Sequence, residues 1–141
     1  MKKYSLFIVS SLVIVSFISI SASVLRLNPQ DKDRGIGPVK SVELGPINKK
    51  MVANGKAIFN SKCFICHELV QKKIGPPLRD ITEERTPEYI MNLMLNSVQM
   101  QKEDPKLKVL IKKYNNVIMP DPGLNQTQAR SVLEYLRSVA K

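Results

Sequence analysis

The 141-residue chain has no tryptophan, one histidine and two cysteines. The histidine and both cysteines fall in one pentapeptide, Cys63-Phe64-Ile65-Cys66-His67. A zinc site of four Cys and His ligands needs one more such residue than the chain owns. Two histidines on one metal are impossible, and a Ser-His-Asp arrangement would have to use this same histidine. Aromatic residues are few and not interleaved with arginine. There is no helix-turn-helix or RNA-binding signature, so the net charge of +10 does not point to nucleic acid. No stretch of four to eight residues alternates as a strand would. Internal repeats and low-complexity tracts are also missing.

Apolar residues make up 43%, a normal globular share. A domain this small often needs a staple. Lys2 and Lys3 precede an apolar run from Leu6 to about Leu25, broken only by serines. That is the form of an export signal over 1–23, with Ser21-Ala22-Ser23 offering small residues for cleavage. The run nearly reaches the length that crosses a bilayer, so an uncleaved anchor through residues 6–25 is the alternative. Without Lys2 and Lys3, 20 basic and 12 acidic residues remain, a balance of +8. This charge suits docking on an acidic protein face or an anionic membrane. Residues 24–47 are rich in Pro, Gly and charge, and read as a linker that ends by lying across the domain surface. The twenty residues from Asn28 to Ile47 reach about 65–70 Å if extended.

From about Asn48 to Lys141 the pattern is helical. Met51, Val52, Gly55, Ile58 and Phe59 form a stripe that runs into the cysteine motif. Gly55 costs that helix about 1 kcal/mol against alanine, which suits the close approach of another helix. Thr86-Pro87 and Asp104-Pro105 each pair a capping side chain with proline at the first helical position. Leu107, Leu110, Ile111 and Tyr114 mark the face of the second of these. The last helix spans about Thr127 to Ala140, with Ala129, Val132, Leu133 and Leu136 on its apolar face and Arg130, Glu134 and Arg137 opposite. The expected class is all-α, with four to five helices.

Cys-x-x-Cys-His is the attachment pattern for a covalent haem. Two thiols add across the vinyl groups and the adjacent histidine reaches the iron. A redox dithiol would sit before a βαβ pattern that is missing here. Cys63 and Cys66 are thus the haem thioethers and His67 an axial ligand of one haem c. With no second histidine, methionine is the expected sixth ligand. Met51, Met91 and Met94 sit in helical patterns. Met119 lies in the loop Val117-Ile118-Met119-Pro120-Asp121-Pro122-Gly123, stiffened by prolines, and is favoured over Met100. Pro76 and Pro77 lack N–H donors, so their carbonyls are free to accept from the histidine ring.

The order of helix, CxxCH, Gly75-Pro76-Pro77-Leu78, middle helices, Met-Pro loop and terminal helix resembles a class I monohaem cytochrome c over about 48–141. The resemblance implies that Gly55 and Phe59 meet Tyr135 and Leu136 across two helices. It implies that the Pro76 carbonyl accepts from His67, that Leu78 packs on the haem, and that Met119 is the distal ligand. Without tryptophan, Arg85, Tyr89 and Tyr114 are the candidates for propionate contacts. The implied function is an exported, periplasmic or membrane-anchored electron carrier rather than an enzyme. It would cycle Fe(III)/Fe(II) between respiratory-chain partners with acidic docking faces, and Lys62, Lys72 and Lys73 are placed to ring the haem edge. The alternatives are a five-coordinate haem enzyme or gas sensor, or a haem subunit of a larger oxidase or reductase complex.

Overall fold

The structure is a computed structural model and describes residues 33–141. The export segment, residues 6–25 and the first part of the linker lie outside the described residues. Among those described there are six α-helices and no strand. Helix α1 is Lys49–Ile58 and continues into a π-helical turn, Phe59–Cys63. Then follow α2 (Ile81–Glu84), α3 (Pro87–Leu95), α4 (Ser97–Glu103), α5 (Pro105–Lys113) and α6 (Gln126–Val139).

Side-chain caps set most helix starts. Asn48 Oδ1 accepts from Met51 N, Thr86 Oγ1 from Tyr89 N and Asp104 Oδ1 from Lys106 N. Asn125 and Gln128 exchange bonds as a full capping box at the start of α6. At the end of α5, Asn115 and Asn116 both take left-handed φ, 56° and 58°. Asparagine tolerates that region better than most residues, and the chain turns there into the Met119 loop.

Helix α1 packs on α6. Phe59 and Tyr135 stack at 5.4 Å between ring centroids, tilted by 58°. Gly55 is buried at the crossing: a Cβ there would lie 2.0 Å from the Ser131 carbonyl oxygen. The main core joins these two helices to α3 through Ile90, Met91, Met94, Val132, Leu133 and Leu136. A smaller cluster of Tyr89, Met100 and Leu107 ties α3, α4 and α5 together.

Two features go beyond the local sequence pattern. From Asp33 onward, the stretch read as a linker packs on the helices as a strap. Asn92, wholly buried on α3, accepts from Val39 N and donates to Val39 O and Arg34 O, each at 2.9 Å. Thr86 Oγ1 donates to Asp33 O, Asn96 Nδ2 to Ile36 O, and Val42 N to Glu88 Oε1. The strap carries no helical period because side-chain amides and carboxylates of the helices, not its own backbone, satisfy its polar groups. Glu134 is also not on the solvent face. It is fully buried, accepting from Asn48 N at 2.8 Å and pairing with Arg130 and Arg137. Burial pushes its carboxyl up, but these donors outweigh that and hold it below the usual carboxylate value.

A candidate haem-attachment site

The π-helical turn delivers Cys63, and the chain then coils tightly. Phe64 N bonds Phe59 O, while Cys66 N and His67 N both bond Cys63 O, at 3.1 and 2.9 Å. Both thiols are unpaired and half-buried. Burial raises the Cys63 thiol, a shift that Lys62 opposes and Cys66 reinforces.

The segment after the motif folds back to position His67. Gly75 N bonds Cys66 O at 2.8 Å, and Leu78 N bonds Glu68 O at 2.9 Å. This return puts the Pro76 carbonyl 2.9 Å from His67 Nδ1. The bond assigns the ring proton to Nδ1 and leaves the Nε2 lone pair for a metal. Gly75 is required by the same approach, since a Cβ there would lie 2.4 Å from His67 Cε1. Burial lowers the His67 pKa and the Pro76 bond raises it, with a net downward shift. The ring is therefore neutral at physiological pH, the state a metal ligand needs.

The Met119 loop comes to this region by its own contacts. Lys62, next to Cys63, donates through Nζ to Pro122 O at 2.9 Å. Met119 is half-buried, whereas Met100 is wholly enclosed with Tyr89 and Leu107. Met91 and Met94 belong to the main core. Leu78 packs against that core from the motif side. Phe64, Ile65, Val70, Ile74, Val117 and Ile118 give the motif, the return segment and the loop an apolar outer surface. Two thiols, a neutral imidazole with a fixed tautomer and an apolar surround are a donor set that fits a covalent haem.

Other candidates are redistributed. Tyr89 donates to Asp104 Oδ2 at 2.5 Å, which commits its hydroxyl to the cap of α5. Burial first and this carboxylate second raise its pKa well above the tyrosine norm. Arg85 lies over the Tyr89 ring and donates to Glu84 O. Tyr114 is buried beneath Lys72, whose Nζ is 4.9 Å from the ring centroid. Lys73 lies 4.3 Å over the Phe64 ring and donates to Phe64 O. The three lysines near the motif are exposed, yet each also braces the site. Sequence reasoning missed Gln101, whose amide meets the Met119 backbone. A polar residue in a segment with no clear helical stripe gave no signal.

The fold and the donor set define a small all-α domain that holds a haem by a Cys-x-x-Cys-His turn. The cytochrome c family model matches residues 52–140, and the chain belongs to the cytochrome c family. It is a haem electron carrier with a covalently attached haem c, and Cys63 and Cys66 stand in the attachment spacing. Among solved structures it is similar to cytochrome c from Rhodothermus marinus. The two share 47% identity over 74% of this chain and 90% of that one, with a TM-score of 0.71. An engineered form of that protein, Rma TDE, matches at 46% identity over the same shares, with a TM-score of 0.70. The cytochrome c domain of the pp3183 protein from Pseudomonas putida is more distant. It shows 27% identity over 60% of this chain and 85% of that one, with a TM-score of 0.55. Comparison with curated proteins gives no match.

Proposed function

We propose that this cytochrome is an exported one-electron shuttle in which His67 and Met119 are the two axial ligands. One observation carries the choice of Met119: Lys62, beside the attachment cysteine, is bonded to Pro122 of the Met119 loop. The contrast with Met100 supports it, because that thioether is enclosed by protein on the strap side.

When bound, the haem supplies a one-electron Fe(III)/Fe(II) couple. The chain supplies the rest. His67 is aimed by the Pro76 carbonyl and kept neutral. Met119 is presented by a loop whose Pro120 and Pro122 limit its motion, so a weak thioether bond is held in place. Leu78, packed against the main core, would line the haem. With His67 and Met119 both holding the iron, substrate would have no place at the metal, which would separate a carrier from an enzyme or gas sensor.

The positive surface at Lys62, Lys72 and Lys73 docks acidic faces of respiratory-chain partners. Residues 1–23 direct the chain out of the cytoplasm, and the protein works in the periplasm, free or anchored through residues 6–25. Among the described residues no helix is long and apolar enough to cross a membrane.

The oxidised protein tests the ligation. A far-red thioether–Fe(III) absorption band is expected in the unmutated protein and in Met100→Ala, and lost in Met119→Ala. A high-spin spectrum in the unmutated protein would favour a five-coordinate haem enzyme or sensor. Electron transfer to host membranes is expected to slow steeply with ionic strength, and a flat response would remove the acidic-partner assignment. Retention in membranes through high-salt washing, or recovery in the soluble periplasmic fraction, decides between anchor and cleaved signal.

A further inference from the structure

Helix α4 stands between the strap and the Met119 loop. On one side Asn96, its N-cap, donates to Ile36 O at 3.0 Å, and Met100 is buried in the small cluster that Ile36 packs against. On the other side Gln101 reaches the loop. The residue is 7% exposed, and its amide makes three hydrogen bonds, all to backbone. Oε1 accepts from Met119 N at 2.7 Å, and Nε2 donates to Met119 O at 2.7 Å and to Ser97 O at 2.9 Å.

This two-point pairing is what a neighbouring β-strand residue would give Met119, but it is delivered by a primary amide. It fixes both ends of one residue's backbone, so it restrains where the Cα–Cβ bond points. The bond to Ser97 O, one turn earlier on α4, in turn fixes the amide. Asparagine is one methylene shorter, and no charged side chain offers a donor and an acceptor in this geometry.

We infer that Gln101 is the positioning residue for Met119: its amide clamps the backbone of the ligand loop and keeps the thioether from being displaced by competing ligands. The inference rests on Met119 being the second axial ligand. Loosening the clamp raises the population in which the thioether is off the iron, and the apparent affinity of any competitor rises in proportion. Two hydrogen bonds of ordinary net strength correspond to a change of about tenfold or more.

The test is an imidazole titration of the oxidised holoprotein, read at the far-red band. Gln101→Leu removes donor and acceptor at similar volume, and imidazole should bind about tenfold more tightly. Gln101→Glu is isosteric, keeps an acceptor for Met119 N, and sets a carboxylate oxygen against Met119 O and Ser97 O in place of both donations, so it should shift in the same direction. It decides the matter if Gln101→Leu fails to fold. Glu134→Gln, which weakens the fold away from the loop, should leave imidazole affinity within about twofold; an equal shift there would reduce Gln101 to general stability. Wild-type affinity in both Gln101 variants, with the band present, would overturn the clamp. A wild-type protein with no far-red band and no competition for imidazole would instead overturn Met119 ligation itself.

Discussion

Replacing Gly55 by alanine puts a methyl group where the α1–α6 crossing has no room for it. The added Cβ would lie 2.0 Å from Ser131 O, 2.6 Å from its carbonyl carbon and 2.9 Å from Tyr135 Cβ. Relaxed C···O contacts sit at about 3.3 Å or more, so the helices must part by roughly 1.3 Å along that line. The obstacle is α6 backbone rather than a side-chain tip, and no rotamer change relieves it. A gap of 0.5–1 Å already forfeits about a quarter to a half of the dispersion attraction, and the Phe59–Tyr135 pair lies at this crossing. Overpacking of this kind costs about 1–3 kcal/mol, and the loosened contacts add to it. Alanine returns about 1 kcal/mol through its better helix propensity. With the loosened aromatic contact adding about 1 kcal/mol, the net expectation is a loss of about 1–3 kcal/mol. In guanidinium unfolding of the holoprotein followed by far-UV circular dichroism, a slope of about 4 kcal/mol/M turns this into a midpoint lower by about 0.3–0.8 M. The neighbouring exposed Asn54→Ala should be neutral or slightly stabilising, since only propensity changes there. A Gly55→Ala midpoint equal to or above wild type would show that helix propensity outweighs the clash and that the crossing is not close-packed.

Further substitutions test the elements around this crossing. Glu134→Gln should cost about 2–4 kcal/mol at pH 7, because it takes the charge from between two arginines in a buried site. The folded carboxyl titrates below its ordinary value of 4.5, so its stabilisation is complete above that pH and is lost as pH falls through the lowered folded value. Urea midpoints measured downward from pH 6 should therefore fall in the wild type and fall less in the variant; parallel curves would remove Glu134 from the acid response. Asn92→Leu strands Val39 N and Val39 O and removes one bond to Arg34 O, with an expected cost of about 2–4 kcal/mol and earlier proteolytic cutting between Asp33 and Ile47. Unchanged protease resistance would mean that the strap is held by its other contacts. Gly75→Ala pushes a methyl group against His67, so the yield of holoprotein should drop and its ferrous spectrum broaden. A wild-type spectrum at full yield would show that the return segment can shift aside.

The attachment motif was legible because its chemistry is local: five consecutive residues carry both thiols and the imidazole, and a tight turn is enough to bring them together. Helix starts at Thr86-Pro87 and Asp104-Pro105 were legible for the same reason, since a cap and the N–H that donates to it lie within three residues. Helix α4 was not. Ser97–Glu103 has Met100 and Gln101 buried but Val98 exposed, and seven residues are too few to display a period. Glu134 misled because helical spacing places it among charges, and its burial depends on Asn48 and on two arginines that cover it from one side.

The sequence by itself determined the chemistry of this cytochrome: one histidine and two cysteines in one turn leave a covalent haem as the reading, and the absence of a second histidine makes methionine the expected partner. Tertiary structure decided how that chemistry is held. Pro76 and Gly75 aim the imidazole, Lys62 ties the attachment turn to the Met119 loop across sixty residues, and the strap encloses Met100. Each is a contact between segments far apart in the chain, and no local pattern encodes which distant backbone a lysine or an amide will meet.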